Sequence, residues 1–290
     1  MKALCLVFVL LIGFLSCATA VKNNSLEDIV FIERQITFMD EIIKMHDEIK
    51  NIHVSLEKLY PITVINNGYF YVFDINEISN RYEFRLKVEL PEYMAGDNGN
   101  MLASFPLEFY ELKASAVIGN NILENTENHI TVFHEFVHCF QWHNGEPDIR
   151  RELLVEQQER AKGNYSWELN YPFPYNSEYY VNRTVELSNS FTYENMVQYH
   201  EDMKAGLQEL EFEYMIWQEW KEGFARYVEN LIRTKYGLEM VTTILSPPFD
   251  RRHFYEIGSR SIHLLINNNE GLSENITELY NRMKLYFNSF

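Results

Sequence analysis

The residues best suited to chemistry in this chain are His134-Glu135-Phe136-Val137-His138, a stretch of the form H-E-x-x-H inside the apolar run Ile130–Phe140. On a helix, residues four apart share a face, so the two imidazoles aim at one point and can hold a single metal ion. Glu135 follows His134 by about 100° of helical rotation, within reach of a water on that ion. A catalytic zinc site takes three protein ligands and keeps one position open. The third ligand must therefore come from elsewhere in the chain.

His143 is the nearest further residue of ligand type. The metzincin pattern would place glycine at position 141 and histidine at 144; the chain has Gln141 and Asn144, so that pattern fails. The stronger candidate is Glu222, in Trp220-Lys221-Glu222-Gly223-Phe224-Ala225-Arg226-Tyr227-Val228-Glu229. Gly223 and Ala225 let this helix pack closely on a neighbour, as a carboxylate must if it is to reach an ion held by another helix. Val228, Leu231 and Ile232 give it an apolar face. Glu219 is the alternative, either as third ligand or as the partner of a ligand imidazole. Glu229, two turns on, reads as an ordinary helix carboxylate.

HEFVH followed by E-G-F-A-x-Y resembles the gluzincin zinc metallopeptidases over His134–Glu229. The resemblance implies Zn²⁺ held by His134, His138 and Glu222, Glu135 as general base, and a peptide or protein substrate. It also implies a zincin-like fold. The interval between His138 and Glu222 is longer than in compact members of that group, and residues 182–210 are accommodated as inserted helical structure. A Tyr or His usually helps to polarise the substrate carbonyl; Tyr255 and His263 are candidates, with His200 expected on the surface. The rival reading is a non-catalytic, zinc-containing secreted or surface binding protein on a peptidase-like scaffold. Glu135 speaks against it, because a protein that only binds has no use for a base there.

Composition frames both readings. The chain has 290 residues, is 46% hydrophobic and 15% aromatic, and is long enough for a sizeable core. A formal charge of −17 argues against nucleic acid or an anionic membrane surface as partner. Residues 1–20 read as a secretory signal: Met1-Lys2, the apolar run Ala3–Leu15, then Ala18-Thr19-Ala20 as a cleavage pattern. The alternative is a lipoprotein anchored at Cys17, after Phe14-Leu15-Ser16. Either way the expectation is an exported chain without a transmembrane span. Cys139 is then the one mature cysteine, read as a small buried hydrophobe.

The elements that must position the site form an α+β pattern in one domain, residues 21–290. Ser25 and Asp28 start a helix expected to run to Leu59, ended by Pro61, with Ile29, Ile32, Ile36, Met39 and Ile43 as its inner stripe. His46 and His53 read as surface or boundary residues on it. Strands at 62–65 and 69–75 flank an Asn-Gly turn, and Tyr82–Leu90 alternates as a half-buried strand with Phe84, Leu86, Val88 and Leu90 inward. Residues 91–100 read as a loop and Leu107–Ile118 as a strand beside the site. The motif helix stops at Asn144-Gly145. A charged, exposed helix is expected at Ile149–Ala161, then an aromatic loop at 164–182 that either packs on the core or lines a cleft. Helices at 194–207, 210–236, 252–266 and 273–290 complete the chain.

Overall fold

The computed structural model describes residues 25–94, 99, 101–125, 127–269 and 271–285. The stretch read as a leader, with Cys17, residues 95–98 of the expected loop and the last five positions of the C-terminal helix expectation lie outside the described residues.

Helix α1 (Leu26–Ile49) starts at the expected capping box, in which Ser25 Oγ accepts from Asp28 N–H and the Asp28 carboxylate accepts from Ser25 N–H. It ends ten residues earlier than the hydrophobic stripe suggests. Lys50 closes it, and His53 Nδ1 then accepts from Ser55 N–H at 3.1 Å to start a separate 3₁₀ turn, Val54–Leu56. Its buried face is Phe31, Ile32, Gln35, Met39, Ile42, His46 and Ile49, while Ile29 is exposed. His46 and His53 are buried, correcting the surface expectation. Each ring packs like an aromatic: His46 stacks over Phe133 and His53 meets Phe224 edge-on. Burial pushes the His53 pKa down to about 4, keeping it neutral.

The sheet has the order β3-β2-β1-β5-β4, with β1 parallel to β5 and every other pair antiparallel. β1 (Ile62–Asn66) and β2 (Tyr69–Asn76) form the expected hairpin; Asn67 and Gly68 both take positive φ, 48° and 79°, as a primed turn requires. In β3 (Arg81–Glu89) the alternation breaks. Val72 pairs with Leu86 and Phe73 with Phe84, so Arg85 is an extra, bulged residue. The bulge sends Phe84 to the helix-covered face with Tyr71, Phe73 and Tyr82, and Leu86 to the other face with Phe70 and Val72. Lys87 is thereby turned inward, where its Nζ meets Asp28 of α1 at 2.7 Å.

The strand expected at 107–118 is instead the end of β4 (Leu102–Leu107), a turn with Glu111 and Leu112 at φ 55°, and β5 (Lys113–Gly119). β4 carries Pro106, which an edge strand tolerates and a central one does not.

Nine helices follow: α2 (Glu127–Asn144), α3 (Glu146–Glu152), α4 (Leu154–Ala161), α5 (Trp167–Asn170), α6 (Glu178–Asn189), α7 (Tyr193–Gly206), α8 (Glu209–Lys235), α9 (Arg252–Asn268) and α10 (Ile276–Leu285) among the described residues. The α+β class is as the sequence implies. The exposed helix expected at 149–161 is two helices, broken at Leu153 and carrying buried Glu146, Ile149, Val155, Glu156 and Glu159. Much of the aromatic segment packs inward. Trp167 lies against Trp217 and Tyr214, Phe173 and Tyr180 reach Phe254, and α6 begins inside the expected loop. No helix among the described residues is long and apolar enough to cross a membrane.

α8 is the hub, packed on α2, α4, α9 and α10. Its approach to α9 is backbone to backbone. A Cβ built on Gly223 would stand 2.6 Å from the Gly258 carbonyl carbon, and one on Gly258 would stand 2.1 Å from the Glu219 carbonyl oxygen. The small residue after Glu222 therefore does serve close packing, but against α9 rather than against the helix of the two histidines.

Candidate metal centre

α2 lies under the helix-covered face of the sheet, with Val132, Phe133, Phe136, Val137 and Cys139 in the core. That packing leaves His134 and His138 on the side of α2 that meets α8. There their Nε2 atoms stand 3.8 and 3.6 Å from one oxygen, Oε2 of Glu222. Three donors bound at 2.0–2.2 Å in a tetrahedral shell stand about 3.3–3.6 Å apart; the two histidine–carboxylate separations are close to that, and all three donor atoms lie within 4.8 Å of one another. His134, His138 and Glu222 together can hold a metal ion. Glu219 and His143, the other third-ligand candidates, are not in this group: Glu219 bonds His200 at 2.6 Å, and His143 stacks on Tyr60.

Each imidazole is fixed from behind. His134 Nδ1 lies 3.0 Å from Glu229 Oε2, and His138 Nδ1 lies 2.8 Å from Gln141 Oε1. With both Nδ1 atoms donating, both Nε2 lone pairs face Glu222, the tautomer a metal requires. Gln141 in turn donates from Nε2 to the Lys221 carbonyl at 3.2 Å, tying α2 to α8 beside the ligand carboxylate. The partner role foreseen for Glu219 thus falls to Glu229, which sequence reading took for an ordinary carboxylate. Only its spacing of two helical turns from Glu222 hinted at a shared face. Gln141 carried a signal too, at i+3 from His138.

Electrostatics follow from this crowding. Burial disfavours a charged His134, but hydrogen bonds to Glu222 and Glu229 outweigh it and lift the pKa to about 10. Burial opposes ionisation of Glu222 as well, yet His138 and His134 hold its pKa well below the ordinary range. A proton on His134 and a metal ion compete for the same nitrogen. Glu135 behaves oppositely: burial raises its pKa, and the imidazoles offset only part of that. The Cys139 thiol is fully buried and pushed up by burial, in keeping with a packing role.

Of the donor candidates, Tyr255 is at the site. It is half-buried and close to Glu222; burial and that carboxylate raise its pKa. His263 is exposed beside Asn267. His200 is buried rather than superficial, held by Glu219 and the Met196 carbonyl, and does not face the metal ligands.

A cavity of about 320 Å³ adjoins His138, lined by Ser104, Phe105 and Pro106 of β4, Trp142, Lys221 and Glu168 among others. Its floor is a closed set of ion pairs: Lys221 to Glu146 at 2.8 Å and Glu168 at 3.1 Å, and Arg150 to Glu168 at 2.7 Å and Glu156 at 2.9 Å. Glu146, Arg150 and Glu156 are neighbours in the chain, but Lys221 joins them from 75 residues beyond Glu146, which no local pattern announces.

Compared with protein-family models, curated proteins and solved structures, the chain matches none.

Proposed function

We propose that this chain is an exported zinc-dependent peptidase of gluzincin type, hydrolysing peptide bonds with Glu135 as general base. The observation that carries the reading is the convergence of His134 Nε2, His138 Nε2 and Glu222 Oε2, with a buried carboxyl, Glu135, one residue from the first ligand. Two imidazoles and one carboxylate are a donor set that suits zinc, and three ligands leave a position for water or substrate. When bound, zinc supplies a water of pKa near 7 and a Lewis acid for the substrate carbonyl.

The chain's own residues do the rest. Glu229 and Gln141 keep the two Nε2 lone pairs aimed at one point. Glu135, its pKa raised by burial, accepts a proton as the nucleophile adds and returns it to the leaving amine nitrogen. Tyr255, close to Glu222, donates its O–H to the carbonyl oxygen as charge develops there. The β4 edge supports an extended substrate, because Ser104–Pro106 line the cavity beside His138 and β4 has one unpaired side.

Two measurements test this. Elemental analysis of purified residues 21–290 should show near-stoichiometric zinc, lost in Glu222→Ala. Glu135→Gln should keep the zinc and lose peptide hydrolysis by about 10²-fold or more. A Glu135→Gln protein that cuts peptides as fast as wild type overturns the mechanism. Absence of zinc from the wild type overturns the site.

A further inference from the structure

One cation at this site has no role in the scheme above. Arg251 caps α9, and its Nη1 lies 3.9 Å from Oε1 of Glu222, the oxygen not turned toward the histidines. That is ion-pair range but too long for a hydrogen bond. The adjacent Asp250 does not take it: that carboxylate is held by Arg252 at 2.5 and 3.0 Å and by His253 at 3.3 Å. The Arg251 guanidinium lies over the Tyr255 ring at 5.5 Å and keeps 29% of its side chain exposed. Among the described residues no hydrogen bond engages it, so its fork of five N–H donors remains for a ligand.

The surroundings suit an anion. Tyr175, Tyr214 and Tyr255 are near enough to feel its charge, and the nearest carboxylate is already committed to the two histidines. A half-buried guanidinium without a close partner is costly to maintain, and an incoming carboxylate would offset that cost with a bidentate pair. Tyr255 fixes the guanidinium plane, so the pair would also set the direction in which a substrate lies.

We propose that Arg251 anchors a carboxylate carried by the substrate residue that follows the scissile bond. Because Arg251 Nη1 lies 3.9 Å from a carboxylate of the candidate ligand set, an anion it holds sits beside that set, within about one residue of a bond cleaved there. The substrate class is thus peptides with a carboxylate one residue beyond the cleaved carbonyl. That carboxylate is either a free C-terminus, released as a single amino acid, or an Asp or Glu side chain. This inference rests on the peptidase reading, and its test is arranged to separate the two.

Three matched short peptides serve as probes: a free C-terminal acid, its C-terminal amide, and an amide with Glu after the cleaved bond. With zinc-loaded full chain, kcat/KM for the acid should exceed that for the plain amide by about tenfold or more, mainly through KM. In Arg251→Ala the acid-to-amide ratio should fall to near one. Arg251→Lys should lie between, since an ammonium keeps the charge but not the fork. Equal cleavage of the Glu-bearing amide and the acid shows that the anchor takes a carboxylate of either origin; cleavage of the Glu-bearing amide alone assigns it to side chains, and of the acid alone to C-termini. Equal cleavage of acid and plain amide by wild type, or an equal loss on both in Arg251→Ala, overturns the proposal.

Calorimetric binding of acid and amide to zinc-loaded Glu135→Gln protein needs no turnover. An Arg251-dependent preference for the acid there supports the anchor even if hydrolysis is never seen, and no preference overturns it even if the peptidase reading stands. Zinc content and circular dichroism of each variant show that it is folded and loaded.

Discussion

Glu229 and Glu219 lie on the same helix, are both buried, and each binds an imidazole, yet their removal should have opposite consequences for the metal. Glu229 Oε2 holds His134 Nδ1 at 3.0 Å. In Glu229→Ala that buried N–H loses its acceptor, so neither the tautomer nor the ring orientation of His134 is fixed. Loss of such an outer partner typically costs 10–100-fold in metal affinity, or about 1.4–2.7 kcal/mol. Glu229→Gln keeps an acceptor oxygen and should lose about tenfold at most. Glu219 Oε2 holds His200 at 2.6 Å, away from the metal group, so Glu219→Gln should leave zinc affinity within about twofold while lowering the melting temperature. The assay is competition against a chromophoric chelator, paired with thermal denaturation of the metal-free proteins, because Glu229 also faces Arg226 at 3.4 Å and Arg233 at 4.0 Å. A folded Glu229→Ala protein binding zinc like the wild type would refute the assignment. So would a Glu219→Gln protein that loses zinc without losing stability.

Other consequences follow from packing and charge. Gly223→Ala puts a methyl 2.6 Å from the Gly258 backbone, so α8 and α9 must separate; about 1–3 kcal/mol of stability and a measurable share of zinc affinity should go together, because Glu222 moves with α8. Burial opposes ionisation of Glu168, but Lys221 and Arg150 outweigh it and hold the pKa down to about 2. A carboxyl depressed on folding contributes stability that is present above its unfolded pKa and lost as pH falls. The window here is about pH 4.5 to 2, the contribution is on the order of 3 kcal/mol, and chemical denaturation across it should show a shallower fall in Glu168→Gln. Lys87→Met leaves the Asp28 carboxylate buried without its cation and should cost roughly 3 kcal/mol, read as a lower urea midpoint at pH 7.

What was legible in the sequence is what periodicity and local chemistry encode. The α2 helix with its stop at Asn144-Gly145, the Asn67-Gly68 turn, α7 to α9 and the α+β class all rest on patterns within a few residues of one another. His134, His138 and Glu222 come together where the two motif pieces place them. The failures have physical causes of a different kind. The β3 bulge inverts an alternation at one residue, Arg85, and nothing in the local pattern marks it. α1 stops early because a histidine at 53 prefers to cap a 3₁₀ turn, and His46 and His53 are buried because a neutral imidazole packs like an aromatic ring. β4 was hidden by Pro106, which is admissible only because the strand is an edge, and being an edge is a property of the whole sheet.

The carboxylates of α8 show why the ligand was easier to find than its supports. Glu219, Glu222 and Glu229 are the same residue on one helix, and their intrinsic chemistry is identical. Glu222 was marked by the glycine that follows it, although that glycine serves α9. The other two take their roles from what the neighbouring helix presents: α7 offers His200 to Glu219, and α2 offers the back of His134 to Glu229. A helix that carries a ligand must be held on several sides at once. The Gly223–Gly258 contact sets its distance to α9, Gln141 ties it to α2 through the Lys221 carbonyl, and the Lys221–Glu146–Glu168 pairs hold it against α3 and α5. Glu222 therefore reaches the histidines by the placement of a whole helix rather than by the freedom of one side chain. That is why substitutions at Gly223 or Glu229, neither of which supplies a ligand atom, should be felt at the metal.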